Sequence, residues 1–494
     1  MKRTVTILAA LALLSSLASG ALAETRALAC DVAVIGGGSA GFAAAWSAAY
    51  LGSDVVLVER EASLGGTSTL GGVNTWEAGM GGTGVSYRVY QRLLTIPQAA
   101  AITRIQRHKA WTKPWEKYAF PGGIFEPDPC LTYAHTLWRH GPGLSDERWF
   151  REHCHGVVFE PDALAGVMAS MLAETGRCRV LLGTAFVEVR AQGGRVEQVK
   201  LSDGTVLRAR IFVDATDGAL CAQLGCRLLT GRESKSDYGE PDAPERPSSR
   251  INGATLVYRV SPLGAREPDL VEALPEGVPG ACWWQSKFPS AYVGQYPNGD
   301  RFINMLPTMR GEEYRDLGPE AAYAECERRV RAHWHWLQAN CDEFRRFRLK
   351  HIFSTVGLRE TRRVVGEYVL NENDLLQGLS GQKHTDIIAL CDHLMDDHGG
   401  GGRNGELREA YGIPYRCLLP LDTENVLIAG RAASFSAIAA SSCRLSRTMM
   451  QLGEAAGVAA HLACFRNRPL RQIPAEAILL EMHAKIDQDP TCKP

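Results

Sequence analysis

Several features are missing from this chain of 494 residues, and each absence excludes something. The 14 cysteines contain no C-x-x-C pair, so they carry no paired-cysteine metal signature and dictate no disulfide connectivity. Beyond the N-terminus no stretch stays apolar long enough to cross a bilayer, which argues against a membrane span. Neither charge sign dominates. With 54 Lys and Arg against 55 Asp and Glu, the net charge of −1 argues against nucleic acid or an anionic membrane as the main partner. No internal repeat or low-complexity tract is apparent, and 45% hydrophobic with 22% charged residues is ordinary for a globular protein of two or three domains.

What is present begins with an N-terminal address. Lys2 and Arg3 precede an apolar run from Val5 to Leu17, and small residues follow, ending Ala21-Leu22-Ala23. This is the pattern of a secretory signal cut after Ala23, which predicts a periplasmic or secreted protein. There is no twin-arginine pair, so the expectation is export unfolded, with any cofactor acquired outside the cytoplasm. Glu24 and Arg26 separate the apolar run from Cys30 and argue against lipidation. An oxidising compartment predicts some disulfides; Cys221 and Cys226, close in sequence, read equally well as two buried thiols.

The most informative stretch is Asp31 to Arg60, DVAVIGGGSAGFAAAWSAAYLGSDVVLVER. An apolar strand runs into Gly36-Gly37-Gly38-Ser39-Ala40-Gly41, an Ala-rich helical segment follows to Gly52, and a second apolar run, Val55 to Val58, ends on Glu59. This satisfies G-x-G-x-x-G in a βαβ unit. Gly36 permits a tight turn, Gly38 lets the backbone approach a pyrophosphate, and Gly41 lets helix and strand pack closely. The helix start presents free N–H groups and a positive dipole end to phosphates. Glu59, 18 residues beyond Gly41, suits a ribose. The unit therefore predicts a bound dinucleotide. No second such fingerprint follows a strand, which argues against a separate nicotinamide domain.

The loop Ala62 to Gly82 is crowded with Gly, Ser and Thr, and places backbone and hydroxyls where a ligand could use them. Residues 85–150 are aromatic-rich, with Trp111, Trp115, Trp138 and Trp149, and read as an insertion that covers the cofactor or walls the substrate. A helix over ALAGVMASMLAETG leads into a β-meander that returns through Ile211 to Val213, ending Asp214-Ala215-Thr216-Asp217-Gly218. From Arg250 the pattern becomes antiparallel, beside a long amphipathic helix, EAAYAECERRVRAHWHWLQAN. His333 and His335 on that helix lie two apart, face different directions and form no metal pair.

Two later segments carry candidate chemistry. In VGLRETRRVVGEYVL, Arg359, Arg362 and Arg363 flank Glu360; they read as structural salt bridges or as a fork of donors for an anionic or hydroxylated substrate. Asp396-Asp397-His398 precedes four glycines, so His398 reads as a general base oriented by Asp397, or as a solvated loop histidine. The C-terminal third holds an apolar strand, Val426 to Ala429, delivering Gly430 and Arg431 to a turn. A helix starting near Arg444 then contains Gly453, Ala456 and Gly457, and beyond Arg468 the chain reads as a peripheral tail.

Together GGGSAG with Glu59, LGGTSTLGG, FVDATDGA, GLRETRRVVGEYVL and NVLIAGR with RLSRTMMQLGEAAG resemble, in this order, the FAD-dependent oxidoreductases of the glutathione-reductase-like superfamily. The resemblance covers most of the chain after Ala23. It implies an α/β fold: a Rossmann-like FAD-binding domain with three-layer ββα architecture, plus a second α+β substrate domain with a mainly antiparallel sheet. The expected boundaries are 1–23 for the signal, 24–84, 151–230 and 376–470 for the FAD-binding domain, 85–150 for the insertion, 231–375 for the substrate domain and 471–494 for the tail. The third FAD-binding part carries a mobile Gly-rich loop. Expected cofactor contacts are Gly36, Gly38, Ser39, Ala40, Gly41, Glu59, Arg60, Gly65, Gly66, Thr67, Ser68, Thr69, Val187, Ala215, Thr216, Asp217, Gly430, Arg431, Ser442, Arg444 and Leu445. The chain departs from the family in having Ser434-Phe435-Ser436-Ala437 where many relatives carry a histidine. Asp217 stands where glycine is usual, and Arg447 where proline is often found.

The reading is an exported FAD enzyme that moves a hydride from a small molecule, such as an alcohol or carbohydrate, to flavin, with an external electron acceptor. Its catalytic residues are His398 as base, Asp397, Arg359 and Arg362, and it has no metal. The alternatives are a flavin-dependent reductase of an unsaturated acid, with an arginine as proton donor, and a non-catalytic FAD-binding protein.

Overall fold

The computed structural model describes residues 26–111, 120–137, 139, 141–398 and 405–483. The N-terminal signal, Trp115, Trp138 and the four glycines after His398 lie outside the described residues.

Asp31-Val-Ala-Val-Ile forms the end of the first strand, Ala27–Ile35, and Val32 to Ile35 are all buried. Burial on both faces of a parallel sheet is what selects such a continuous apolar run. The sheet places Cys178–Leu181, Val55–Val58, Ala27–Ile35, Val206–Asp214 and Val426–Ile428 side by side, all parallel. Cys178–Leu181 thus belongs to the parallel sheet and not to the meander, because its neighbour is Val55–Val58. The meander proper is Phe186–Gln192, Arg195–Leu201 and the first residues of Val206–Asp214. That last strand serves both layers, pairing antiparallel at Val206 and Leu207 and parallel at Phe212 to Asp214.

Two helices cover the other face, Ser39–Tyr50 and Ser446–Arg466, and they touch through backbone. A Cβ placed on Gly453 would stand 2.0 Å from the Ala40 carbonyl oxygen, and one on Gly457 would stand 2.2 Å from that of Ala44. Glycine at both positions is therefore a packing requirement. The second helix starts at Ser446, after a separate short helix Ala437–Cys443 and a break at Arg444 and Leu445.

The second sheet has eight strands, ordered Phe347–Ile352, Tyr258–Pro262, Arg301–Met305, Ala291–Gln295, Gly122–Pro127, Ala100–Arg107, His155–Phe159 and Thr75–Trp76. All neighbours are antiparallel except Gly122–Pro127 beside Ala291–Gln295. Residues 85–150 thus supply two interior strands and are part of the sheet, not an addition to it. Trp111 and Trp149 there are packing residues: Trp111 stands edge-on to Phe150, and Trp149 stacks on His153. The long helix Pro319–Asn340 lies on this sheet, where buried His333 shares a 2.8 Å hydrogen bond with the Tyr258 hydroxyl. Its neighbour His335 pairs with the Glu272 carbonyl, and the described residues contain no metal-holding cluster.

Two expectations need correction. The segment after Arg468 is not a loose tail, because Leu470, Ile473 and Ile478 are buried in the main core and helix Ala475–His483 packs beside Ser446–Arg466. The thirteen cysteines among the described residues are free thiols, Cys221 and Cys226 included. Most are buried as small apolar side chains, and burial pushes the thiols of Cys154, Cys178 and Cys326 up to about 12. Among the described residues no helix is long and apolar enough to cross a membrane.

Gly453→Ala is expected to destabilise the protein by about 1–3 kcal/mol, the usual cost of overpacking a tight contact. Thermal unfolding measures it, and an unchanged midpoint would contradict the backbone contact.

Candidate active site

Between the two sheets lies a cavity of about 850 Å³. At one end its wall is the glycine turn. Gly36 has φ +102°, and a Cβ there would meet the Ala215 carbonyl oxygen at 2.5 Å; a Cβ on Gly41 would stand 1.8 Å from the Gly36 oxygen. These two glycines let turn, helix and the Asp214–Ala215 strand end nest together. Gly38 is different: a Cβ there would meet nothing within 4 Å, because that side of the backbone faces the cavity. Helix Ser39–Tyr50 has no side-chain cap, nor does Ser446–Arg466, so both open N-termini belong to the cavity rim. Glu59, at the end of the second strand, accepts hydrogen bonds from the N–H groups of Gly37 (2.5 Å) and Glu61 (2.9 Å). Each carboxylate oxygen keeps a lone pair for a further donor.

The far end carries charge. His398 Nε2 stands 2.8 Å from Asp396 Oδ2, which also takes Arg444 Nη2 at 2.5 Å. Burial and the Arg359 charge pull the His398 pKa down to about 4, against the pull of Asp396, so the imidazole is neutral at ordinary pH. Although burial works the other way, the His398 hydrogen bond and the Arg444 charge hold the Asp396 carboxyl well below the usual carboxylate range. Arg359 donates from Nη1 to the Gly253 carbonyl (2.9 Å) and Thr255 Oγ1 (2.7 Å). Burial, with Arg444 nearby, pulls its guanidinium down to about 9. Glu77, His393, Arg139, and His108 with Tyr292 complete this end, the last two joined by a 2.5 Å hydrogen bond.

The segment bearing His398 is clamped. Asn252 donates from Nδ2 to the Asp396 carbonyl (2.9 Å) and accepts from the His398 N–H (3.1 Å), and its own N–H is held by Glu360 (2.8 Å). Glu360 in turn pairs with fully buried Arg363, which also meets Glu233 at 2.6 Å. The segment Arg359 to Arg363 therefore divides its work: Arg359 lines the cavity and Arg363 is a buried structural ion.

Of the residues expected from sequence, Gly36, Gly38, Ser39, Ala40, Glu59, Arg60, Gly65, Gly66, Thr67, Ala215, Thr216, Asp217, Gly430, Arg431, Arg444 and Leu445 line the cavity, as do His398, Arg359 and Arg362. Others do not. Asp397 points away from His398, because adjacent residues of an extended segment face opposite sides, and it pairs with Arg232. Asp396 is the carboxylate that meets His398. Val187 is 53% exposed on the outer side of its strand, and its neighbours Ala185 and Phe186 face the cavity instead. Ser442 is buried, donating to the His393 carbonyl at 2.5 Å. Gly41 packs beneath the turn, Ser68 bonds to Ser446, and Thr69 closes its own loop onto the Leu64 carbonyl. Ser436 caps helix Ala437–Cys443, and Arg447 ties helix Ser446–Arg466 to the carbonyls of Thr136 and Glu77. Sequence reasoning missed Glu77, His393, His108, Tyr292 and Arg139, which come from separate elements with no shared motif.

A glycine cradle with an open face, two uncapped helix N-termini and the Glu59 carboxylate at the end of the second strand, all on one cavity, are the parts of a Rossmann-type dinucleotide-binding flavoprotein. The chain belongs to the FAD dependent oxidoreductase family, which it matches over residues 31–482, and its cofactor is FAD. No curated protein matches it. Among solved structures it is similar to a geranylgeranyl bacteriochlorophyll reductase-like protein from Thermoplasma acidophilum, at 12% identity, TM-score 0.43, and coverage of 92% of this chain and 84% of that one. It is also similar to p-nitrophenol 4-monooxygenase from Pseudomonas putida, at 11% identity, TM-score 0.43, and coverage of 94% and 88%. A third is the myxobacterial chondrochloren halogenase, at 12% identity, TM-score 0.37, and coverage of 92% and 78%.

Gly38→Val should fold normally yet retain little FAD, since the added side chain enters only cavity space. Far-UV circular dichroism with flavin absorbance per protein checks this; full flavin content would contradict the placement.

Proposed function

We propose that the protein is an exported FAD-dependent dehydrogenase or oxidase acting on a small organic molecule, an alcohol or carbohydrate. Export rests on the N-terminal pattern of Lys2, Arg3 and the following apolar run. The observation that carries the chemistry is His398, held by Asp396 on the wall of the cavity that the glycine turn also lines. FAD, when bound, supplies the two-electron hydride acceptor. The chain's own residues do the rest. With Nε2–H given to Asp396, His398 keeps Nδ1 as the basic nitrogen to take the substrate hydroxyl proton as the neighbouring carbon loses hydride. Asp396 fixes the tautomer and balances the imidazolium that forms, while Arg444 holds Asp396 in place. Arg359 and Arg362 line the same space as anchors for substrate oxygens.

One observation favours a second reading. A guanidinium lowered to about 9 is a better proton donor than an ordinary arginine, so Arg359 suits reduction of an unsaturated acid. Anaerobic mixing separates the two: bleaching of the flavin by substrate alone supports oxidation, and substrate that recolours only pre-reduced flavin supports reduction.

His398→Gln should slow flavin reduction by about 10²- to 10⁴-fold, the usual contribution of a positioned base. Because the folded pKa of His398 is lowered to about 4, the wild-type rate should rise with pH through about 4 and be level by neutrality. Arg359→Gln removes a repelling charge and should move that limb upward, toward the ordinary histidine value of about 6.5. Stopped-flow rates across pH measure both, and a wild-type limb already at the ordinary value would remove His398 from the role.

A further inference from the structure

The charged groups at the far end of the cavity are not equally engaged. Asp392 accepts from the N–H groups of Met80 (2.9 Å) and Arg139 (2.8 Å), and Asp396 is taken by His398 and Arg444. Glu77 is different. Its contacts to His393 (3.4 Å) and Arg139 (3.5 Å) are long for charge-assisted bonds, which close to about 2.7–2.9 Å. Its side chain lies deep in the fold yet is 45% exposed, and that exposure is to the cavity. Although burial opposes it, hydrogen bonding to His393 and the charges of His393 and Arg139 bring its pKa down to about 2, so it is a carboxylate at any working pH. It is an acceptor with capacity to spare, aimed at the space a substrate would fill.

Arg359 is its counterpart. Among the described residues it forms no ion pair, and its contacts run from Nη1 alone to neutral oxygens, which leaves Nε and Nη2 of the fork for a ligand. An anion there would offset the cost of burying the guanidinium. The same cavity is lined by Ile105, Phe125, Leu144 and Phe150, an apolar stretch bordered by His108 and Arg139.

We propose that Glu77 and Arg359 select the substrate as a pair: an organic acid with an apolar or aromatic body, whose carboxylate meets Arg359 and whose hydroxyl or ammonium hydrogens are accepted by Glu77. This rests on the reading of the cavity as the substrate site of a flavoenzyme: Glu77 holds the donor hydrogen in the bound complex, and a hydroxyl turns its one hydrogen to His398 Nδ1 for oxidation. Hydroxy acid and amino acid share the chemistry, a carboxylate with a nearby donor, and the test separates them.

The test is equilibrium titration of the FAD-loaded protein, without oxygen, following the shift of the flavin absorption band. Four probes of matched shape are used: mandelate, phenylglycine, phenylacetate and 1-phenylethane-1,2-diol. Mandelate or phenylglycine should bind about 10- to 100-fold more tightly than phenylacetate, which lacks the donor, and than the diol, which lacks the anion. Whichever of the two binds better identifies the donor as hydroxyl or ammonium. Glu77→Gln should erase the advantage over phenylacetate and leave phenylacetate itself unchanged, and Arg359→Gln should weaken the three acids and spare the diol. Phenylacetate binding as tightly as both donor-bearing acids would overturn the proposal, as would a flavin band that none of the probes shifts. The wild-type comparison stands even where a variant fails to load FAD. Tight, selective binding without bleaching would instead sink the oxidation reading and leave the recognition pair standing.

Discussion

The arrangement of the cavity depends on one contact between helices. Gly453 and Gly457 let Ser446–Arg466 lie against the carbonyls of Ala40 and Ala44, closer than any side chain would permit. That approach sets two open helix N-termini on one rim, so two sets of unspent N–H groups and two positive dipole ends serve a single ligand. It also draws the C-terminal half of the chain onto the first βαβ unit. The strand Val206–Asp214 makes the corresponding link in the sheet, with Ala27–Ile35 on one side and Val426–Ile428 on the other.

Electrostatics at the other end follow a consistent division. Charges that hold the structure are buried and fully paired, as in Arg363 with Glu360 and Glu233. On the cavity wall Asp396 and Arg444 are paired with each other, whereas Arg359 and Glu77 are incompletely satisfied. Asn252 connects the two groups, passing the rigidity of the buried ions through Glu360 to the segment that bears Asp396 and His398. A side chain whose position is set by a clamped backbone needs little reorganisation to meet a ligand.

Much of the nucleotide end was legible beforehand, because its requirements are local. A glycine turn, a strand, a helix start and a terminal acid lie within thirty residues, and each is constrained by its immediate neighbours. The reactive end was legible only in part. His398 and Arg359 stood out as residue types in suggestive surroundings, but the partner of His398 was assigned to Asp397, one position off. In an extended segment one position exchanges the two faces, and no feature of Asp396-Asp397-His398 alone says which carboxylate shares the face of the histidine. Val187 was misplaced by the same alternation.

The resemblance carried by five ordered motifs named the cofactor; the sequence by itself determined a dinucleotide-binding unit and a second, mainly antiparallel sheet. Those follow from backbone sterics and hydrophobic periodicity, which act over a few residues. Tertiary structure decided which charges meet. Glu77, His393, Arg139, His108 and Tyr292 come together from segments spread between Glu77 and His393. Tertiary structure also made the segment after Arg468 part of the core, and left the described cysteines as thiols, most of them buried. Pairing and burial depend on where whole elements pack, and only the folded chain contains that information.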